Sequence, residues 1–226
     1  SIQFQTMTTK SISRVTALSI IVMAIAAAFA MSQVFAEAFI LSIDELPVFL
    51  TNSSFKASVI AWLIILLCDL MVSWGLYSYY KKRNHLRAAI SGLFRLLYSI
   101  ILAYGISKLF LVSLELSNDE FSAEIIHQNI HSFQAIWQFG LIVFGLHLIT
   151  LSKLVCQKKK LLKLIAILLF LAGVGYFLSN TLDLFIDNYE SYRPTVEAVF
   201  IFPMIFSEIG LAFWLLLKGG REASIG

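Results

Sequence analysis

Six long apolar stretches, separated by short polar ones, make up most of the chain. They predict helices over 14–37, 56–80, 87–113, 131–155, 161–183 and 195–218. Each is long enough for the roughly 20 residues that a helix needs to cross a hydrocarbon core. The first, Val15 to Phe39, is longer than a signal-peptide core and runs on into acidic residues, so it reads as a retained span. Residues 40–55 hold Pro47 and the cluster Thr51-Asn52-Ser53-Ser54, which predict a loop and a helix start. Ser117 with Glu120 forms a capping-box pattern. A helix running unbroken from 118 to 155 would measure about 57 Å, so part of it must project or bend outside a core of roughly 30 Å. Arg193-Pro194 suits a further helix start, and Pro203 predicts a kink in the last span. No internal repeat and no linker divides the chain, which reads as one domain over residues 1–226.

Composition agrees with that pattern. Of 226 residues, 59% are hydrophobic and only 14% charged, against about 25% charged in a typical soluble domain. Mean hydropathy is +0.83. A water-soluble enzyme, a nucleic-acid binder and a disordered chain are excluded on these grounds. The fold class is therefore all-α, a polytopic bundle of six transmembrane helices.

The distribution of charge says more than its sum of +3. Lys10, Arg14, Lys81, Lys82, Arg83, Arg87, Lys153, Lys158, Lys159, Lys160, Lys163, Lys218 and Arg221 fall on one side of the threading, thirteen of the 17 basic residues. The other side receives Lys56, Lys108 and Arg193 with most of the acids, among them Asp44, Glu45, Glu115, Glu120, Asp183, Asp187 and Glu190. Positive charge stays cytoplasmic during insertion, so both termini are expected inside, in a bacterial cytoplasmic membrane. Anionic lipid explains the basic loops without nucleic acid. Cys68 and Cys156 sit at different depths, too far apart for a disulfide.

Four ionisable residues stand inside the apolar runs: Asp69, Arg95, His147 and Glu208, in spans two, three, four and six. Helical rise puts them roughly 12–17 Å from their cytoplasmic ends, within one layer. A charge at that depth costs at least ~2.5–3.5 kcal/mol and faces the bundle interior. Two readings follow. The layer is an ion pair with a hydrogen-bonded histidine that fixes helix register, or it lines a polar pocket. For a pocket, Ser91, Tyr98 and Ser99 surround Arg95 on its helix, and Ser73 is one turn from Asp69. Glu197, Ile201, Met204 and Glu208 share a stripe.

A second group lies nearer the outer face. Glu124, His127 and His131 stand at i, i+3 and i+7 on one side of a helix, with Gln134 and Gln138 continuing inward. Such a trio offers ligands to a metal, given others from a second helix, and equally suits a solvated interfacial face. His147 is about 160° further round the helix and does not share that face. Gly140, Gly145, Gly173 and Gly175 permit close helix approach. Trp62, Trp137 and Trp214 anchor or fill the bundle. No Walker loop, dinucleotide fingerprint, Cys-x-x-Cys or Gly-x-Ser-x-Gly is present.

Several segments resemble one family. They are Cys68-Asp69-Leu70 with Leu76-Tyr77, then Phe94-Arg95-Leu96-Leu97-Tyr98, GLIVFGLHL over 140–148, LLFLAGVGY over 168–176 and SEIGLAFWLLLKG over 207–219. In order and spacing the chain is similar to the bacterial multi-pass proteins of domain of unknown function 4386, from the second span to the C-terminus. Lys158-Lys159-Lys160 stand where that family usually has a proline. The resemblance implies a compact six-helix membrane protein and supplies no activity, cofactor or residue role.

The expectation is an intramembrane pocket that binds a small amphiphile or lipid, for sensing or transfer, with Asp69, Arg95, Tyr98, His147 and Glu208 around it. Arg95 would attract an anionic head group, and His147 would add pH sensitivity. No cofactor is expected beyond the metal that Glu124, His127 and His131 would hold. Membrane lipids and the amphiphile are the expected partners. The alternatives are a membrane-embedded hydrolase or transferase, and a structural or assembly subunit. Oligomeric state is not readable.

Overall fold

The computed structural model describes residues 8–186 and 191–219. Asp187, Glu190 and Arg221, and the side chain of Glu197, lie outside the described residues. The described chain is helical with no strand. Helix α1 is Thr9–Ala38, with a π turn at Met31–Phe35. Then come α2 Glu45–Asn52, α3 Phe55–Tyr80, α4 His85–Glu115, α5 Ala123–Val155 and α6 Lys160–Phe185. The last, α7 Arg193–Trp214, contains Pro203 and continues into a π turn at Leu215–Gly219. Six of these are long and apolar enough to cross a membrane. The protein is a multi-pass membrane protein.

Three boundaries differ from the sequence reading, each for a local hydrogen-bonding reason. Glu45–Asn52 form an extra short helix, whose first turn Ser42 ties down: its carbonyl accepts from the Leu46 N–H at 3.0 Å, and it bonds Glu45. The Glu45 carboxylate accepts from the Ser42 hydroxyl at 2.7 Å and from its N–H at 3.3 Å. These bonds hold the Glu45 carboxyl below its usual range. Pro47 sits in the first turn of α2, where its missing N–H costs nothing. By contrast, Ser117 caps nothing, since its hydroxyl donates back to the Ser113 carbonyl. Helix α5 starts at Ala123, with the Ser122 side chain accepting from the Ile125 N–H, while Glu115 accepts from the Ser122 N–H at 2.7 Å to close the α4–α5 turn. At 33 residues α5 still measures about 50 Å, so it overshoots a hydrocarbon core as expected. Helix α1 also begins before residue 14, capped by the Thr8 side chain.

The spanning helices form a closed ring. Each packs on its sequence neighbour, α1 on α3, α3 on α4, and so on to α7, which returns to α1. At one end, Arg83 donates to the Cys156 carbonyl at 2.8 Å and Tyr79 donates to the Gly219 carbonyl at 2.8 Å. A Cβ on Gly219 would lie 3.0 Å from that of Ser13. The described basic loops, the start of α1 and Gly219 thus gather on one face of the bundle.

Small residues set how close the rods come. A Cβ on Gly145 would sit 2.7 Å from the Gly173 carbonyl oxygen and 2.9 Å from the Phe177 nitrogen. Only hydrogen fits there, so α5 and α6 meet backbone to backbone. The outer half of the interior is aromatic. Phe35, brought inward by the π turn, lies 5.3 Å from Phe133 and 5.9 Å from Trp62. Leu18, Ile25, Ile60, Leu67, Leu93, Ile100 and Phe213 instead point outward, while the ionisable groups at depth are inside. That inversion is what a lipid solvent selects.

Candidate functional site

Arg95 is the hub of the interior. It lies on the inward face of α4 and is wholly buried. Its Nε and Nη2 both reach Asp69 Oδ1 of α3, at 2.9 and 2.7 Å. Its Nη1 donates to Glu208 Oε1 of α7 at 2.6 Å. The same nitrogen lies 3.1 Å from His147 Nε2 of α5. Nη2 also faces the Met23 sulfur of α1 at 3.5 Å, and the guanidinium lies 5.3 Å from the Phe144 ring centre. One side chain therefore ties five of the six spanning helices together.

The donor count fixes the state of His147. Arginine only donates, so Nε2 must accept and carry no proton. The ring proton is then on Nδ1, 2.8 Å from the Ser91 carbonyl oxygen, to which it donates. His147 is a neutral, oriented acceptor. The expectation that it would act as a pH-sensitive group does not fit a ring whose second nitrogen faces a guanidinium.

Nearby serines hold helices rather than ligands. Ser99 donates to the Arg95 carbonyl at 3.0 Å, and Ser73 donates to the Gly92 carbonyl at 2.9 Å, joining α3 to α4. Tyr98 is buried, its ring centre 5.0 Å from that of Phe144 with the planes tilted by 48°.

Above this knot lies a cavity of about 740 Å³, within the range of small-molecule sites. Asp69, Tyr98, Phe144 and Glu208 line its deep end. From there it extends outward along α1, α3, α5, α6 and α7, past Trp62, Trp137, Gln134, Asn180 and Arg193. Its walls are mostly apolar and aromatic. Ala28 of α1 and Ile205 of α7 line it and are exposed, so the cavity is least enclosed where those two helices meet. Arg193 is held at 2.6 Å from Asp183.

Two details of the deep end carry chemistry. Asp69 Oδ2 is buried and has no hydrogen-bond partner. Glu208 is the most accessible member of the cluster, with 14% of its side chain exposed. Arg95 is absent from the lining. The anion-attracting role expected of it fails for that reason: its donors are consumed by two carboxylates and a histidine.

A family model described as domain of unknown function (DUF4386) matches residues 15–219. The chain belongs to the DUF4386 family. The match takes in the first span as well, beyond the resemblance that began at the second. The chain is 25% identical over 168 residues to an uncharacterised protein of Archaeoglobus fulgidus, covering 74% of this chain and 87% of that relative. No solved structure matches it.

The outer trio of this DUF4386 protein is not gathered into a site. His127 and His131 lie with ring centres 4.2 Å apart and planes tilted by 48°, while Glu124 is exposed. Among the described residues no group of three His, Cys, Asp or Glu side chains is placed to hold a metal. Gln134 and Gln138, which continued that stripe inward, do reach the cavity. Of the α7 stripe, Met204 and Glu208 line the cavity, whereas Ile201 faces outward. Sequence reasoning missed α1 altogether: Met23, Ala24 and Ala27 carry no charge and no distinguishing spacing. It also missed Asn180, a polar residue near an outer helix end.

Proposed function

We propose that this protein binds a small amphiphile or lipid inside the bundle, for sensing or transfer, from the bacterial cytoplasmic membrane. The observation that carries this reading is the cavity of about 740 Å³ lined by five of the spanning helices and reaching Asp69 and Glu208. A large, mostly apolar chamber with a few polar atoms at one end suits a molecule with a tail and a head. The exposed lining residues Ala28 of α1 and Ile205 of α7 suit a ligand that arrives from the bilayer between those helices. Arg95 and His147 serve as the frame of the site, and Asp69, Glu208 and Tyr98 face the ligand. Both termini and the basic loops lie on the cytoplasmic side in this reading, following the positive-inside rule.

The test is to fill the chamber without touching a charge. Ala27 lines the cavity and is half-buried. Native mass spectrometry of protein released from nanodiscs should show a bound lipid or amphiphile on the wild type. Ala27→Phe should lose it and keep its thermal stability. Identical adducts on both proteins would end this reading.

A further inference from the structure

The deep end of the cavity is built for a positive head group. Asp69 and Glu208 each bring a carboxylate, Arg95 brings one guanidinium, and His147 is held neutral by its two hydrogen bonds. With both carboxylates ionised the cluster carries a net charge of minus one. At this depth an uncompensated charge is costly, and a proton or a bound cation relieves it. Apart from these groups, the ionisable residues lining the cavity are Tyr98, Tyr176 and Arg193, the last in a salt bridge with Asp183 toward the outer end.

The unused acceptor gives the direction. Asp69 Oδ1 takes both of its Arg95 contacts, which leaves Oδ2 buried, on a residue lining the cavity and lacking a donor. Glu208 stands beside the same space with part of its side chain accessible. An anionic head group would meet two carboxylates and no free cation at the deep end. A bare metal ion would find few oxygen ligands, since Met23, Ile65, Phe144 and Met204 form the surrounding wall. An ammonium group carrying N–H bonds supplies both the charge and the missing donor, and aromatic faces nearby favour a cation. Its hydrocarbon tail would occupy the rest of the chamber and leave between α1 and α7.

We infer that the ligand is a cationic amphiphile with a primary or secondary amine head, which donates to Asp69 Oδ2 and pairs with Glu208. This rests on the pocket reading above and adds the class of ligand. The test uses full-length protein in nanodiscs and four probes with the same tail: dodecylamine, dodecyltrimethylammonium, laurate and dodecanol. Binding is read by native mass spectrometry and by the shift in unfolding temperature, at neutral pH and fixed sodium.

Dodecylamine should bind at least about tenfold more tightly than the other three. Glu208→Gln should erase most of that preference while leaving dodecanol binding unchanged. The Gln carbonyl can still accept from Arg95, so this variant keeps the cluster's geometry, and the wild-type probe series needs no variant at all. Equal or tighter binding of laurate or dodecyltrimethylammonium, lost in Ala27→Phe, would overturn the amine assignment and leave the pocket standing. If no probe binds in a way that Ala27→Phe abolishes, the pocket falls and the amine with it.

Discussion

Replacing Arg95 with methionine tests whether the cluster holds the bundle together. The substitution keeps the length and apolar stem and removes the guanidinium. It strands the Asp69 carboxylate, wholly buried, and the Glu208 carboxylate, 14% exposed, and it leaves His147 Nε2 without a donor. Breaking a buried ion pair from one side costs about 3–5 kcal/mol. Uptake of a proton by one carboxylate recovers part of that, and the unpaired histidine nitrogen adds about 1–3 kcal/mol. A loss of about 3–5 kcal/mol corresponds to a fall of roughly 6–20 °C in unfolding temperature for a chain of this size. Tryptophan fluorescence during heating, in one detergent at pH 7, reads it directly. Asp69→Asn on top of Arg95→Met should recover stability, because it removes one of the orphaned charges. Glu208→Gln alone should lose only about 1–2 kcal/mol, since its amide oxygen still accepts from Nη1. An Arg95→Met protein melting within about 2 °C of wild type would refute the reasoning. So would a double variant less stable than the single one.

Three further outcomes follow from packing, proton placement and threading. Gly145→Leu should lower the unfolding temperature by several degrees, because its Cβ meets the Gly173 carbonyl at 2.7 Å, and overpacking costs about 1–3 kcal/mol. Gly210→Ala, whose Cβ has its nearest neighbour at 3.7 Å, should be neutral or slightly stabilising in the same melt. Nitrogen NMR on protein labelled at its four histidines should show one ring, removed by His147→Gln, protonated at Nδ1 and bare at Nε2; the opposite tautomer would reverse the Arg95 assignment. Cys156 is exposed in a basic loop, so a membrane-impermeant maleimide should label it in inside-out vesicles and not in intact spheroplasts. The reverse result would invert the orientation.

The sequence exposes those features whose cost is paid residue by residue. A charge in lipid is costly wherever it stands, so Asp69, Arg95, His147 and Glu208 marked the interior before any packing was known, and the structure brings all four within one hydrogen-bonded cluster. Gly145 and Gly173 were legible as points of close approach for the same reason: a missing side chain is a local fact. Capping was less legible, because Ser117 and Ser122 both stand ahead of α5, and only the Ser122 side chain accepts from an N–H of its first turn. The choice depends on where the neighbouring helices end. Beyond its polar end at Asp69, Tyr98 and Glu208, the cavity left no local sign. Its walls are alanines, methionines and aromatics of the kind that fill any bundle, and an empty volume is a property of how six rods fit rather than of any one of them.

That difference also corrected the chemistry. A layer holding one arginine suggests an anion site when its members are counted as equally available. Geometry removes the equality: Arg95 spends its donors on Asp69, Glu208 and His147, and what remains without a partner is an acceptor. In a low-dielectric interior the sign of a site is set by the group left unpaired, not by the most conspicuous charge. Here that group is a carboxylate oxygen of Asp69, with Glu208 beside it, so the same residues that read as an anion trap in one dimension form a cation acceptor in three.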